Sequence, residues 1–136
     1  MEIDVDFPGG ARVDAHFGRF TVHTDQSVTD GGDGSAPSPF DLFLAATATC
    51  AGFYVQSFCR TRGISTAAIH LVQRHEVDPA SGHVTKILLV IQLPADFPEK
   101  YQTAVIRADE QCTVKKHLEH PPMFEIVSNR LEVTAA

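Results

Sequence analysis

Basic charge is scarce in this chain. Eleven Lys and Arg stand against seventeen Asp and Glu, for a net charge of −6, and no basic run exceeds the pair Lys115-Lys116. Such a balance repels polyanions, so no nucleic-acid partner is expected. Cysteine is scarce too. Three residues, Cys50, Cys59 and Cys112, cannot form a closed disulfide framework and read as reduced thiols of a cytoplasmic protein. The opening Met1-Glu-Ile-Asp-Val-Asp6 is acidic and alternating, unlike a secretory leader. The longest apolar stretch, roughly 39–59, is interrupted by Asp41, Gln56 and several Thr, so no membrane span is expected. No phosphate-loop ending, nucleophile elbow or metalloprotease helix motif occurs.

What remains is one domain, residues 1–136, with enough apolar residues for a core. Residues 2–7 and 11–25 alternate as two or three strands, broken at Phe7-Pro-Gly-Gly10 and near Gly18. Asp30–Pro37 has the composition of a loop. Ser38 then caps a helix that begins at Pro39, carries Asp41 near its positive end and runs to about Arg62, before Gly63. That helix is apolar nearly all round, which requires burial on several sides. Two strands, 67–78 and 83–93, form a hairpin about Asp78-Pro-Ala-Ser-Gly82. A helix from Glu99 to about Gln111, a short helix from about Thr113 to Leu118 and a last strand over Met123–Val133 complete an α+β order with mostly antiparallel pairing.

The cysteines are the candidates for chemistry. Cys50 and Cys59 are nine residues apart on one helix, hence on opposite faces, and cannot act together. Cys50 shares its face with Phe43, Ala46, Thr47, Phe53, Tyr54 and Ser57, which suits either a pocket or a crossing element. Cys112 stands where the short helix begins, near unpaired amides and ahead of Lys115 and Lys116, so local chemistry makes it the easier thiolate. A cysteine that merely fills the kink between two helices is the competing reading. Burial of Cys50 would raise its pKa unless a cation is brought to it, for which Arg12 and Arg19 are the candidates. Cys112, His117 and His120 are spaced C-x4-H-x2-H, but zinc would need a fourth ligand such as Cys50 or His75, so no metal is expected. His70, His75 and His83 read as solvent-facing residues of the hairpin.

Two stretches taken together carry a resemblance. Gly32-x-Gly34-x-Ala-Pro-Ser-Pro-x-x-Leu42-x-Leu44-Ala-Ala-x-x-x-x-Cys50 and Gln111-Cys112-x-Val114-x-Lys116-x-Leu118 are similar to the OsmC/Ohr family, the osmotically inducible and organic hydroperoxide resistance proteins. The resemblance implies an α+β fold with antiparallel sheets wrapped around long buried central helices, in an intertwined homodimer with active sites at the subunit interface. It implies a thiol-dependent peroxidase in which Cys50 is the peroxidatic thiol, Cys112 the resolving one and Arg12 the activating cation. Phe43 and Phe53 are then the expected pocket walls. The partners implied are a small-molecule organic or lipid hydroperoxide and an external dithiol reductant, with no cofactor. Peroxidatic members carry a Glu ten residues before the first cysteine, and here that position is Phe40, followed by Asp41. Members of proven chemistry tend to have Cys-Pro at the second motif, and here it is Cys112-Thr113. These departures leave open a second reading: a module that binds an apolar or acyl ligand at the interface without turnover.

Overall fold

A computed structural model of the chain describes residues 1–130. Strands β1 (Asp4–Gly9), β2 (Arg12–Phe17) and β3 (Phe20–Thr24) form an antiparallel sheet joined by tight turns. Its register places Asp6, Asp14 and His23 side by side on one face and Val5, Ala15 and Val22 on the other. The sheet is therefore amphipathic, as period-two alternation requires. Its apolar face has no substantial packing against the rest of the chain, and Val5 remains half exposed.

Beyond β3 the chain folds around Asp25, whose carboxylate is buried. Oδ1 accepts the amide of Gln26 at 2.8 Å, and Oδ2 accepts the amides of Asp33 and Ser35 and the Ser35 hydroxyl at 3.2, 3.0 and 2.7 Å. Gly32 lies so close to this knot that a Cβ there would stand 2.1 Å from the Gln26 carbonyl oxygen. The loop delivers Ser38 to the start of α1 (Pro39–Arg60). There a reciprocal capping box forms: the Asp41 amide donates to Ser38 Oγ at 3.1 Å, while the Ser38 amide donates to Asp41 Oδ2 at 2.9 Å.

Hairpin strands β4 (His70–Val77) and β5 (Val84–Gln92) pair antiparallel, turning through Gly82 at φ +70°. Helix α2 (Gln102–Ala108) is flanked by 3-10 turns at Glu99–Tyr101 and Asp109–Gln111, so the expected second helix is present but tightened at both ends. Helix α3 (Thr113–Glu119) follows at once. Val55 and Cys59 of α1, Phe97, and Val105 of α2 form the core, with Leu71 and Ile91 of the hairpin packed against them.

The sequence pattern calls for α1 to be buried on several sides; within one chain the stripe Thr47, Ala51, Val55, Cys59 is covered. The opposite stripe, Ala45, Ala46, Thr49, Phe53 and Gln56, is open, because α2, α3 and the hairpin all pack on one side. One expectation is corrected: the last strand is absent over 123–130, which is exposed and irregular. Its alternation suits a strand, but 123–130 pairs with none of the strand edges of the described chain; residues 131–133 of that expected strand lie outside the described ones.

The chain exposes 10723 Å². A compact monomer of its mass would expose about 7,000 Å². Phe40, Phe53, Leu118, Phe124 and Ile126 are among the large apolar residues left open.

Candidate active site

Cys50 sits at the border between the covered and open stripes of α1 and is half-buried. Helix α1 runs past the start of α3, which brings Cys112 to it. Tyr54, one turn beyond Cys50, fixes this crossing: its hydroxyl and that of Thr113 lie 3.1 Å apart. Cys112, only 2 % exposed, is the N-cap of α3, and the Lys115 amide donates to its sulfur at 3.5 Å.

The two thiols act on each other in opposite senses, Cys50 drawn down and Cys112 pushed up. For Cys50, burial is the largest influence and pushes its pKa up. The Cys112 thiol and the amides of Val114 and Thr113 all donate to its sulfur, and together they hold it below the ordinary 9.0. A smaller upward push comes from the Asp109 carboxylate. Cys112 moves the other way: burial raises it first, and donating to Cys50 raises it further. The order expected from helix position alone is thus reversed.

A groove of about 980 Å³ runs beside the pair, between α1, the tip of the hairpin and α3. Phe40 and Phe43, stacked with ring centres 5.5 Å apart, form part of its wall, together with Thr47, Ile87, Leu89, Cys112 and Leu118. Asp109 and Lys115 also line it, joined by a 2.9 Å ion pair through Asp109 Oδ2, while Oδ1 is buried without a partner. Thr47 donates from the groove floor toward Leu44 O at 2.7 Å and Gln73 Oε1 at 2.8 Å. A smaller groove of about 370 Å³ is walled by Phe43, by Thr113 and Val114 next to Cys50, and by Leu118, Pro121 and Phe124.

Of the residues singled out in the sequence, Cys50, Cys112 and Phe43 come together. Phe53 does not join either groove; it lies on the open stripe, edge-on to Tyr54. Arg12 stands at the β1–β2 turn, donating from Nε to Gly9 O at 3.2 Å, and Arg19 lies over the Phe20 ring. Neither is among the groups acting on Cys50 within the chain. Asp41 is committed to Ser38. His117 directs Nδ1 to the Thr113 carbonyl at 2.7 Å, and among the described residues no cluster of His, Cys, Asp and Glu is placed to hold a metal. Cys59 lies in the core with its pKa raised by burial. Tyr54 and Asp109 are the site residues that sequence reasoning did not assign a role, while Lys115, expected to favour a Cys112 thiolate, is paired with Asp109. The i, i+4 spacing of Tyr54 from Cys50 was the one signal available for them.

Comparison with known proteins agrees with this architecture. The family profile for OsmC-like protein matches residues 32–127. No curated protein matches the chain. Among solved structures, a protein from Psychrobacter arcticus 273-4 assigned to the osmotic stress induced and detoxification response is similar at TM-score 0.71 and 22% identity, over 84% of this chain and 85% of that one. An OsmC like protein from Mycoplasma pneumoniae gives 0.65 and 13%, over 88% and 87%. The organic hydroperoxide resistance protein OhrB of Bacillus subtilis gives 0.53 and 18%, over 86% and 90%. At these identities the likeness speaks for the fold, a mixed α+β arrangement of antiparallel sheets and helices. With the match extending across both cysteine motifs, the chain belongs to the OsmC-like protein family.

Proposed function

We propose that this protein is a thiol-dependent peroxidase that reduces organic or lipid hydroperoxides through Cys50 and Cys112. The observation that carries the reading is the meeting of the two thiols where α1 passes the start of α3, with the Cys50 pKa held down and the Cys112 pKa pushed up. The Cys50 thiolate attacks the terminal oxygen of the hydroperoxide. An S–O bond forms, the O–O bond breaks, and the alkoxide leaves as an alcohol after taking up a proton. Cys112 then attacks the sulfenic sulfur, forming the disulfide and releasing water. An external dithiol supplies the two electrons that reset the pair. The apolar wall around Phe43 favours an organic substrate over hydrogen peroxide.

The working unit in this reading is a cytoplasmic homodimer. The open apolar residues of α1 and the uncovered apolar face of the β1–β3 sheet support it. A second copy covering the open stripe of α1 would bring Phe53 toward the site, and the sheet bearing Arg12 is free to pack across. Arg12 would then supply the cation that this chain alone does not bring to Cys50.

Adding one equivalent of an organic hydroperoxide and mapping peptides without reduction tests the proposal. Rapid loss of two hydrogens, located at Cys50–Cys112 and absent in Cys50→Ser, is the expected result. Thiols that stay reduced would overturn it. The Phe40–Phe43 wall of the larger groove favours the second reading, an apolar or acyl ligand held without turnover. Ligand affinity that survives Cys50→Ser, in a protein that consumes no peroxide, would establish that one instead.

A further inference from the structure

Residue 113 has a backbone made for proline and carries threonine instead. Cys112 has φ −54° and ψ 115°, the extended conformation that a following proline imposes, and Thr113 is the first residue of α3, where proline is favoured. Proline is also what the OsmC/Ohr pattern tends to carry after its second cysteine. The difference matters because threonine has a backbone N–H and a hydroxyl, and proline has neither.

Both groups bear on Cys50. Burial pushes the Cys50 pKa up, and the groups that hold it down are the Cys112 thiol, then the amides of Val114 and Thr113, none of them a cation. As the first residue of α3, Thr113 has no carbonyl one turn back within the helix, so its N–H is not taken up there. The residue is held from two sides. Its hydroxyl lies 3.1 Å from that of Tyr54, one turn beyond Cys50, and its carbonyl oxygen lies 2.7 Å from His117 Nδ1. At the start of α1, meanwhile, Phe40 is stacked on Phe43 and Asp41 is bound to Ser38, so no carboxylate is left there to orient a cation toward the sulfur.

We propose that Thr113 offsets that missing carboxylate: its backbone N–H stabilises the Cys50 thiolate where proline could not, and its hydroxyl, tied to Tyr54, keeps that N–H beside the sulfur. This rests on Cys50 being the nucleophile of the pair proposed above. Residue 113 then sets how readily Cys50 reacts, and an arginine brought by a second copy adds to an activation already present within one chain.

Three substitutions test it. Thr113→Ser keeps both groups, Thr113→Val keeps the N–H alone, and Thr113→Pro removes both while suiting the backbone. Iodoacetamide alkylation of Cys50 at pH 7, followed by peptide mapping, should be close to the unmodified rate in Thr113→Ser and about fivefold slower in Thr113→Val. In Thr113→Pro it should be about tenfold slower again, the loss of one donor to a charged sulfur. Proline and valine variants that react alike, or a serine variant as slow as the valine one, overturn the inference. The unmodified protein gives a reading that no misfolded variant can confuse. The amide resonance of Thr113 should shift with pH in step with Cys50 ionisation and lose that dependence in Cys50→Ser; a resonance indifferent to Cys50 overturns the inference as well. If the alkylation and resonance results are as expected but the protein consumes no organic hydroperoxide, the peroxidase reading fails and the role of Thr113 stands on its own result.

Discussion

The hydroxyl of Tyr54 lies 3.1 Å from that of Thr113, and this contact locks the middle of α1 to the first turn of α3. Tyr54 is four residues past Cys50, and Thr113 immediately follows Cys112. The bond therefore keeps the start of α3, whose Thr113 and Val114 amides help hold the Cys50 pKa down, beside that sulfur. Tyr54→Phe removes the link while keeping the ring. A hydrogen bond of this kind is worth about 1 kcal/mol, so the thiolate fraction of Cys50 near neutral pH should fall by about fivefold. The pH profile of iodoacetamide alkylation of Cys50 measures it.

Asp109 and Lys115 should act on Cys50 in opposite directions. The Asp109 carboxylate pushes the Cys50 pKa up, so Asp109→Asn should lower it and speed alkylation at pH 7. Lys115→Met leaves that carboxylate without its cation and should slow alkylation. Ultraviolet titration of the thiolate in both variants checks the pair; shifts in the same direction would contradict the assignment.

Asp41 belongs to the fold rather than to the thiol. Ser38→Ala breaks the capping box and should cost about 1 kcal/mol in denaturant unfolding. Asp41→Asn should likewise destabilise the protein, with Cys50 alkylation unchanged in the folded population. A loss of Cys50 reactivity at full stability would show instead that Asp41 serves the site.

Asp25 should make stability depend on pH in the acid range. The Ser35 hydroxyl and amide, followed by the amides of Gln26 and Asp33, hold its carboxyl at about 2, below the ordinary 3.8, against the opposing effect of burial. A depressed carboxyl stabilises the folded state fully above its unfolded value, and that contribution fades as pH falls from about 4 toward about 2. Asp25→Asn should be less stable at neutral pH and should lose this part of the acid dependence. Urea midpoints measured across the window decide it.

The open stripe of α1 and the free apolar face of the β1–β3 sheet predict that the protein associates. Light scattering at micromolar concentration should give the mass of two chains. Phe53→Glu, placed on that stripe, should weaken association and lower stability together.

Much of this was legible in the residues. Ser38, Pro39 and Asp41 set the start of α1 through contacts three residues long, and Gly82 marked the hairpin turn, since local signals need no tertiary context. The two cysteine motifs pointed to a partnership that spacing alone could not establish. Local chemistry ordered the thiols the wrong way, where the family resemblance put Cys50 first, because the order depends on amides brought from α3 to α1. Asp109 was hidden for a similar reason: the 3-10 turn at Asp109–Gln111 and the ion pair to Lys115 place its charge near the sulfur. The alternation at Met123–Val127 was real, but a strand exists only through its pairing, and this segment pairs with none of the free edges of the described chain.

Gly32 has a bearing on how the protein will respond to mutation. Any side chain there would collide with the Gln26 carbonyl and the Asp25 carboxylate, so even Gly32→Ala should disrupt the loop that sets the start of α1. A saturation screen scored by survival would then mark Gly32 as intolerant as Cys50, and the two would look like members of one functional motif. Scoring soluble yield alongside survival separates them: substitutions at Gly32 should deplete the protein itself, whereas Cys50→Ser should leave it abundant and inert.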